Sequence, residues 1–178
     1  MTRTCFALTL LCALACAGCG HSTRRAQPAV AQAQAVHEYP SPPPRPQTAT
    51  HAAPTATEAI RGFVTAYINW NAQTVSADMR SLAARSIGQA RAAVTLAAAE
   101  TAADYELRRG GIANSGAVEA VAPLSGHPGD YVVVTRESTT ASNTTAYQGL
   151  RPAWHIALAT VQQLPGGRWV LSDWQPEN

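Results

Sequence analysis

Few side chains in this 178-residue chain are suited to acid–base chemistry. The candidates are Asp104, Arg136, Glu137, His155 and Asp173. His155 lies within an alternating segment, and small residues at the next alternate positions leave space on its face for a ligand. Arg136 and Glu137 are consecutive, so in a strand they point to opposite faces and cannot act as a pair. The sequence therefore predicts no catalytic set, and a His155 that only hydrogen-bonds within the sheet is the simpler interpretation.

Aromatic residues with polar tips form a second group, which suits a small-molecule pocket. They are Tyr67, Trp70, Tyr105, Trp154, Trp169 and Trp174. The alternative is that these rings only fill the core and edges of a small domain. Taken together, the two groups predict a pocket lined by Tyr67, Trp70, Tyr105, Arg136, His155 and Trp174.

The composition gives little support to metal, cofactor or nucleic-acid sites. All four cysteines lie in the first nineteen residues, and no two histidines have the spacing of metal ligands. No glycine-rich loop joins a predicted strand to a helix, so we expect no dinucleotide or phosphate site and no cofactor. The formal net charge is only +2, and residues 55–178 are slightly acidic. This balance argues against a nucleic-acid partner.

The N-terminus has the features of an export signal. Arg3 precedes an apolar stretch at 6–17 that is too short to cross a bilayer as a helix. The stretch ends in Ala17-Gly18-Cys19, which resembles a bacterial lipobox, although Cys16 stands where that motif usually has an aliphatic residue. The resemblance implies a signal peptide at 1–18 and a lipid-anchored Cys19. The alternative is an ordinary secretory signal that is cleaved nearby and releases a secreted protein.

Residues 19–54 differ in composition from residues 55–178. They are rich in Pro, Ala, Gln, Ser and Thr, have few large apolar residues, and include the Pro-rich run at 40–46. Such a segment buries too little apolar surface to offset the entropy of ordering it. We therefore expect a disordered tether that carries a folded domain at 55–178.

The pattern from residue 55 onwards predicts helices first and strands afterwards. Thr55 and Glu58 fit a capping box, and apolar residues then recur at helical spacing to about residue 70. Further helices are predicted at 76–84 and 87–108, with Gly110-Gly111 as the stop. The predicted strands are 118–122, 131–138, 153–162 and 168–174, with a polar loop at 139–148. This order predicts an α+β domain with N-terminal helices packed on a four-stranded antiparallel sheet.

The order of these elements resembles the nuclear transport factor 2-like superfamily. The residues that carry the resemblance are the helix at 59–67 (AIRGFVTAY) and the strand at 167–174 (GRWVLSDW), and it covers 55–177. It implies a curved sheet, a cone-shaped cavity under the helices, and a homodimer formed through the other sheet face. The superfamily includes SnoaL-like isomerases and cyclases and also non-enzymatic subunits of conjugation channels. The Ala- and Arg-rich, Lys-free composition is similar to that of exported actinobacterial members.

Three functions are compatible with these observations. The first is a non-enzymatic lipoprotein on the outer face of the cytoplasmic membrane, whose domain binds an envelope protein in a conjugation- or secretion-type complex. The second is a protein that binds a small apolar ligand in the cone. The third is a SnoaL-like isomerase or cyclase, which needs a carboxylate within hydrogen-bond reach of His155 or Arg136.

Overall fold

The helical half of the domain precedes the sheet, as the sequence predicts. The structure is a computed structural model that describes residues 46–177. Its helices are α1 (Ala56–Ile68), α2 (Val75–Ala84), α3 (Gly88–Ala103) and α4 (Tyr105–Gly110). None of these described helices is both long enough and apolar enough to cross a membrane.

Helix α1 begins at the predicted capping box. The Thr55 hydroxyl accepts a hydrogen bond from the backbone N–H of Glu58 at 3.2 Å and donates to its Oε2 at 3.0 Å. These bonds satisfy a backbone donor that the first turn of a helix leaves free. The helix buries one face, which consists of Ala56, Ile60, Phe63, Val64 and Ile68. That face fixes α1 against the sheet.

The predicted helix at 87–108 is two helices in the structure. Asp104 has an extended backbone (φ −75°, ψ 100°), which ends α3, and its Oδ1 accepts from the backbone N–H of Leu107 at 2.9 Å. Aspartate is favoured at such an N-cap because its side chain replaces a missing backbone acceptor. Gly111 then ends α4 in the left-handed conformation, with φ of 60°. The stop was therefore predicted correctly and the break was not.

The sheet has five strands, so the prediction of four is wrong. They are β1 (Trp70–Asn71), β2 (Ile112–Pro123), β3 (Asp130–Ala141), β4 (Ala153–Gln163) and β5 (Trp169–Glu177), in the order β1-β2-β3-β4-β5. Every neighbouring pair is antiparallel. The additional strand β1 has only two residues, which is too short to show the alternation that reveals a strand. The predicted loop at 139–148 also begins later, because β3 continues to Ala141.

The helices cover only one face of the sheet, which we call the inner face. Its buried members include Val133, Thr135, Ala157, Ala159, Val161 and Leu171. All of these side chains except that of Thr135 form one hydrophobic core with the apolar residues of α1, α2 and α3. The antiparallel sheet with helices on one side is an α+β architecture, as the sequence predicts.

The end of the predicted tether contacts this domain. Thr50 donates through its backbone N–H to the carbonyl of Ala84 at 2.9 Å, and Ala53 forms a two-way bridge with Trp169. The Arg168 guanidinium also donates to the carbonyl of Ala52. Residues 50–53 are thus hydrogen-bonded along the edge strand β5 and the end of α2. The predicted signal peptide, Cys19 and the Pro-rich run up to residue 45 lie outside the described residues.

Candidate functional site

A pocket of about 580 Å³ lies between the helices and the inner face of the sheet. Helices α1, α2 and α3 supply one wall, strands β1 to β4 supply the other, and the segment before β4 closes one side. The lining residues are Tyr67, Trp70, Val75, Met79, Ala97, Thr101, Asn114, Glu137, Thr139, Leu150, Arg151, Ala153 and His155. The volume is in the range of small-molecule sites, and the lining is mainly apolar with a few polar groups, as such sites require.

Three aromatic rings support one side of this pocket. Tyr67 and Phe63 stack with ring centroids 6.0 Å apart, and Trp174 meets Tyr67 edge-on at 5.6 Å. Both arrangements are favourable for aromatic quadrupoles. Trp174 is 7% exposed and lies behind Tyr67, so it supports the pocket without being among the residues that line it. The position of the Tyr67 ring is therefore fixed by packing.

Glu137 places a carboxylate in the pocket. Its Oε1 accepts a hydrogen bond from Thr135 Oγ1 at 2.6 Å, and its Oε2 accepts from Asn114 Nδ2 at 2.8 Å. Asn114 is itself held, because its Nδ2 also donates to the carbonyl of Ile68 and its Oδ1 accepts from Thr139 Oγ1 at 3.0 Å. The network joins β2, β3 and the end of α1, and it holds the carboxylate in one orientation.

A glycine opposite Glu137 makes room for that side chain. Gly116 of β2 pairs with Glu137 of β3 in the sheet register. A Cβ atom at Gly116 would lie 2.9 Å from Glu137 Cγ and 2.7 Å from the carbonyl oxygen of Arg136. Real side chains do not tolerate such distances, so any larger residue here would displace either strand or carboxylate. The lack of a side chain at Gly116 therefore allows Glu137 to occupy its position in the pocket.

The Tyr67 hydroxyl responds to this environment. Burial raises the pKa of Tyr67 above its usual value, and the nearby Glu137 carboxylate raises it further. The indole N–H of Trp174 opposes the rise in pKa, although Trp174 Nε1 has no partner that meets full hydrogen-bond geometry. Burial is the largest of the three effects. Tyr67 is therefore a neutral hydroxyl in the pocket at neutral pH.

The mouth of the pocket is more open than its floor. Arg151 and His155 line it, and both are exposed to solvent. Within residues 46–177, one pair of charged side chains lies within salt-bridge distance, namely Arg109 and Glu106, 3.2 Å apart on the surface of α4. His155 forms no salt bridge with these residues. No carboxylate of residues 46–177 lies within 4.0 Å of a His155 nitrogen.

The structure brings together three of the predicted pocket residues. Tyr67, Trp70 and His155 line the pocket, and Trp174 packs behind Tyr67. Tyr105 does not line it, because it lies at the start of α4 and is 64% exposed. Arg136 does not either, because alternation along β3 turns it to the opposite face from Glu137.

Sequence reasoning missed the polar core of the site. Glu137 was named as an acid–base candidate but not as a pocket residue, and Asn114 lies in a part of β2 that was not predicted as a strand. The available signal was the alternation itself, since Val133, Thr135 and Glu137 share the inner face of β3. Within the described part of the chain, no group of at least three His, Cys, Asp or Glu residues is arranged to hold a metal ion.

The opposite side of the sheet, which we call the outer face, carries exposed apolar side chains. Trp154 is 62% exposed and Ile156 is 52% exposed, although both lie within β4. The register places Ile156 beside Val134 and Trp154 beside Arg136. The Arg136 guanidinium lies 5.9 Å from the centre of the Trp154 ring, within cation–π range. No described helix covers these residues.

Comparison with known proteins finds similarity among solved structures alone. No protein-family model matches the chain, and no curated protein matches it. Among solved structures, the chain is similar to the Agrobacterium tumefaciens VirB8 protein, with 14% sequence identity and a TM-score of 0.48. The similarity covers 68% of this chain and 88% of that one.

Proposed function

We propose that the domain is a non-enzymatic binding module whose small-molecule ligand occupies the pocket under the helices. The observation that carries this proposal is the pocket itself, with about 580 Å³ and a largely apolar lining. Val75 and Met79 are buried there, and Trp70 and Tyr67 add aromatic surface. Transfer of an apolar ligand body from water to such a lining is favourable. The volume and lining of this pocket therefore support ligand binding.

The arrangement at the mouth favours binding over catalysis. A general base needs its partner within hydrogen-bond reach, and His155 has no carboxylate partner in residues 46–177. Glu137 is already held by two hydrogen-bond donors, which orient it for recognition of a ligand group. We therefore assign polar residues of the pocket to orienting the ligand.

A substitution that blocks the pocket mouth tests ligand binding. The probe is N-phenyl-1-naphthylamine, a neutral dye that fluoresces in apolar surroundings. Ala153→Trp places a large ring at an exposed lining position, and we expect it to weaken dye binding by about tenfold or more, about 1.4 kcal/mol. Ala122→Trp is the matched control, since Ala122 is exposed on β2 outside the pocket. Equal dye binding by both variants would overturn the proposal.

A second candidate function, assembly, is favoured by the outer face of the sheet. Trp154 and Ile156 expose more than half of their surface on adjacent outward positions of β4. Such contiguous apolar surface is typical of a protein interface. We propose that this face pairs two copies of the domain, as the sequence resemblance implies.

Sedimentation measures this assembly directly. We expect the wild-type chain to sediment as a dimer and the double variant Trp154→Ser, Ile156→Thr to sediment as a monomer. Leu96→Ser is the control, because Leu96 is 60% exposed on α3, away from the outer face. A wild-type chain that remains monomeric at high concentration contradicts dimerisation through this face.

We also propose that Cys19 anchors the protein to the outer face of the cytoplasmic membrane. The support is the sequence Ala17-Gly18-Cys19 after an apolar stretch. Cys19→Ala is expected to move the protein from the membrane fraction to the soluble fraction, and mass spectrometry should show a diacylglycerol-modified Cys19 in the wild type. Cys16→Leu is the control, since it keeps the acceptor thiol. A wild-type N-terminus without lipid would favour the secreted alternative.

A further inference from the structure

The Glu137 carboxylate in the pocket has no counter-ion within residues 46–177. Among the described residues, no arginine or histidine nitrogen lies within ion-pair distance of the Glu137 carboxylate. Its two hydrogen bonds come from neutral donors, Thr135 and Asn114, and occupy one acceptor position on each oxygen. Each carboxylate oxygen can accept a second hydrogen bond. The pocket therefore presents an oriented negative group with free acceptor capacity.

The aromatic residues around this carboxylate suit a positive charge. Tyr67 and Trp70 line the same pocket as Glu137, and the carboxylate is close enough to Tyr67 to affect its ionisation. The faces of aromatic rings attract ammonium groups, most strongly where water is excluded. A pocket that is lined by a carboxylate and two electron-rich rings is complementary to a cation and repels an anion.

The energetic cost of the alternatives points the same way. A purely apolar ligand that filled the pocket would strip water from Glu137 and leave a charged group with unmatched acceptors. An anionic ligand would add repulsion at short range. The positive groups of the lining, Arg151 and His155, are exposed at the mouth, where solvent screens them. They form no ion pair with the carboxylate.

We propose that the pocket selects organic cations, namely amines or quaternary ammonium compounds with an apolar body. The cationic group binds the free lone pairs of Glu137 and the faces of Tyr67 and Trp70, and the apolar body packs on Val75 and Met79. This inference rests on the proposed function and names its ligand class. It replaces the neutral apolar ligand that the sequence suggested with a charged one.

Three probes of nearly equal size and different charge test the selection. They are 2-phenylethylamine, 2-phenylethanol and phenylacetate, titrated calorimetrically into the purified full chain at pH 7. A hydrogen bond to a charged group contributes more than one to a neutral group, so the amine should bind about tenfold more tightly than the alcohol. Phenylacetate should bind more weakly than either. This comparison within the wild-type protein needs no variant to fold.

Glu137→Gln then identifies the carboxylate. The amide keeps the size of the side chain and can still accept from Asn114 or Thr135, so the fold is expected to survive. The variant should bind the amine and the alcohol with similar affinity, while Glu119→Gln, at an exposed position outside the pocket, should keep the wild-type preference. A preference for the amine that persists in Glu137→Gln would overturn the inference.

The outcomes separate this inference from the proposed function. If all three probes bind alike, the pocket is a binding site without charge selection, and only the inference is overturned. If the naphthylamine dye binds in the pocket and none of the three probes binds, again only the inference is overturned. If neither the dye nor any probe binds, the proposed function fails and the inference fails with it.

Discussion

Arg136 and Glu137 are consecutive residues of β3, yet their surroundings have little in common. Glu137 faces the helices, is partly buried, and has its two oxygens held by Thr135 and Asn114. Arg136 faces outwards, is exposed, and has a loose cation–π contact with Trp154 at 5.9 Å. Because side chains alternate along a strand, two consecutive residues of β3 belong to the pocket on one face and to an exposed surface on the other. Hydrogen bonds and packing hold the side chains of the inner face, whereas the outer face exposes apolar side chains that no described helix covers.

The largest expected effect tests whether burial differs between the two faces. Val133 is fully buried on the inner face, whereas its neighbour Val132 is half-buried on the outer face. Val133→Ala should lower the free energy of unfolding by about 2 kcal/mol, because it removes buried methyl groups and leaves a cavity. Val132→Ala should cost about 1 kcal/mol or less. Urea unfolding at pH 7 measures both.

Equal losses in the free energy of unfolding for Val133→Ala and Val132→Ala would contradict the difference in burial between the two faces. They would mean that the outer face is covered as completely as the inner one. Repeating the measurement at low protein concentration then separates the causes, since a cover supplied by a second copy is lost on dilution.

The next effect concerns the hydrogen bonds of the inner carboxylate. Thr135 is 3% exposed and donates to Glu137 at 2.6 Å. Thr135→Val keeps the shape of the side chain and removes that donor, so we expect a loss of about 1.5 kcal/mol in the free energy of unfolding. Thr140→Val on the same strand is the control, because Thr140 is exposed on the outer face, and its effect should stay within about 0.5 kcal/mol. A similar cost at both positions would show that the Thr135 hydroxyl does not hold the Glu137 carboxylate.

The charged residue of the outer face should matter less. Arg136→Gln removes the guanidinium that lies over Trp154. Exposed cation–π contacts contribute about 0.5 kcal/mol, so thermal or urea unfolding should show a loss no larger than that. A loss that exceeds the effect of Thr135→Val would indicate that Arg136 is ordered by contacts on a covered outer face.

The fold was predictable wherever a local signal is strong. Thr55 and Glu58 mark the start of α1, and alternation marks β3 and β4. The break at Asp104 was not predictable, because an aspartate inside an Ala-rich helical pattern gives no breaker signal comparable to proline or glycine. Strand β1 was missed because two residues show no period. The two errors have different causes, because β1 exists only through its pairing with β2, whereas a hydrogen bond between residues three apart makes the break at Asp104.

Some lining residues of the pocket could be predicted from the sequence, whereas its hydrogen-bond network could not. Tyr67, Trp70 and His155 were predicted as pocket residues from their types and positions, and they line the pocket in the structure. The arrangement of Glu137 with Asn114 depends on the pairing of β2 with β3, which brings residues 23 apart in the sequence to within 2.8 Å. Register of this kind is set by the whole sheet and the turn that joins the strands, so the composition of either strand does not reveal it.

The smallest expected effect appears only at alkaline pH and reports the desolvation of the inner face. Burial raises the pKa of Tyr67 above the value of 10.0 that an exposed tyrosine has. Folding stability that is present below pH 10 is therefore lost as the pH rises through the folded pKa, because only the unfolded chain ionises easily there. Tyr67→Phe removes this loss. Above pH 10, the free energy of unfolding should therefore fall less steeply with pH in the variant than in the wild type. Urea unfolding between pH 8 and 11 measures it, and Tyr105→Phe, whose ring is 64% exposed outside the pocket, is the control. Parallel curves for Tyr67→Phe and wild type over this range would show that water reaches the Tyr67 hydroxyl, and the inner face would then be as wet as the outer one.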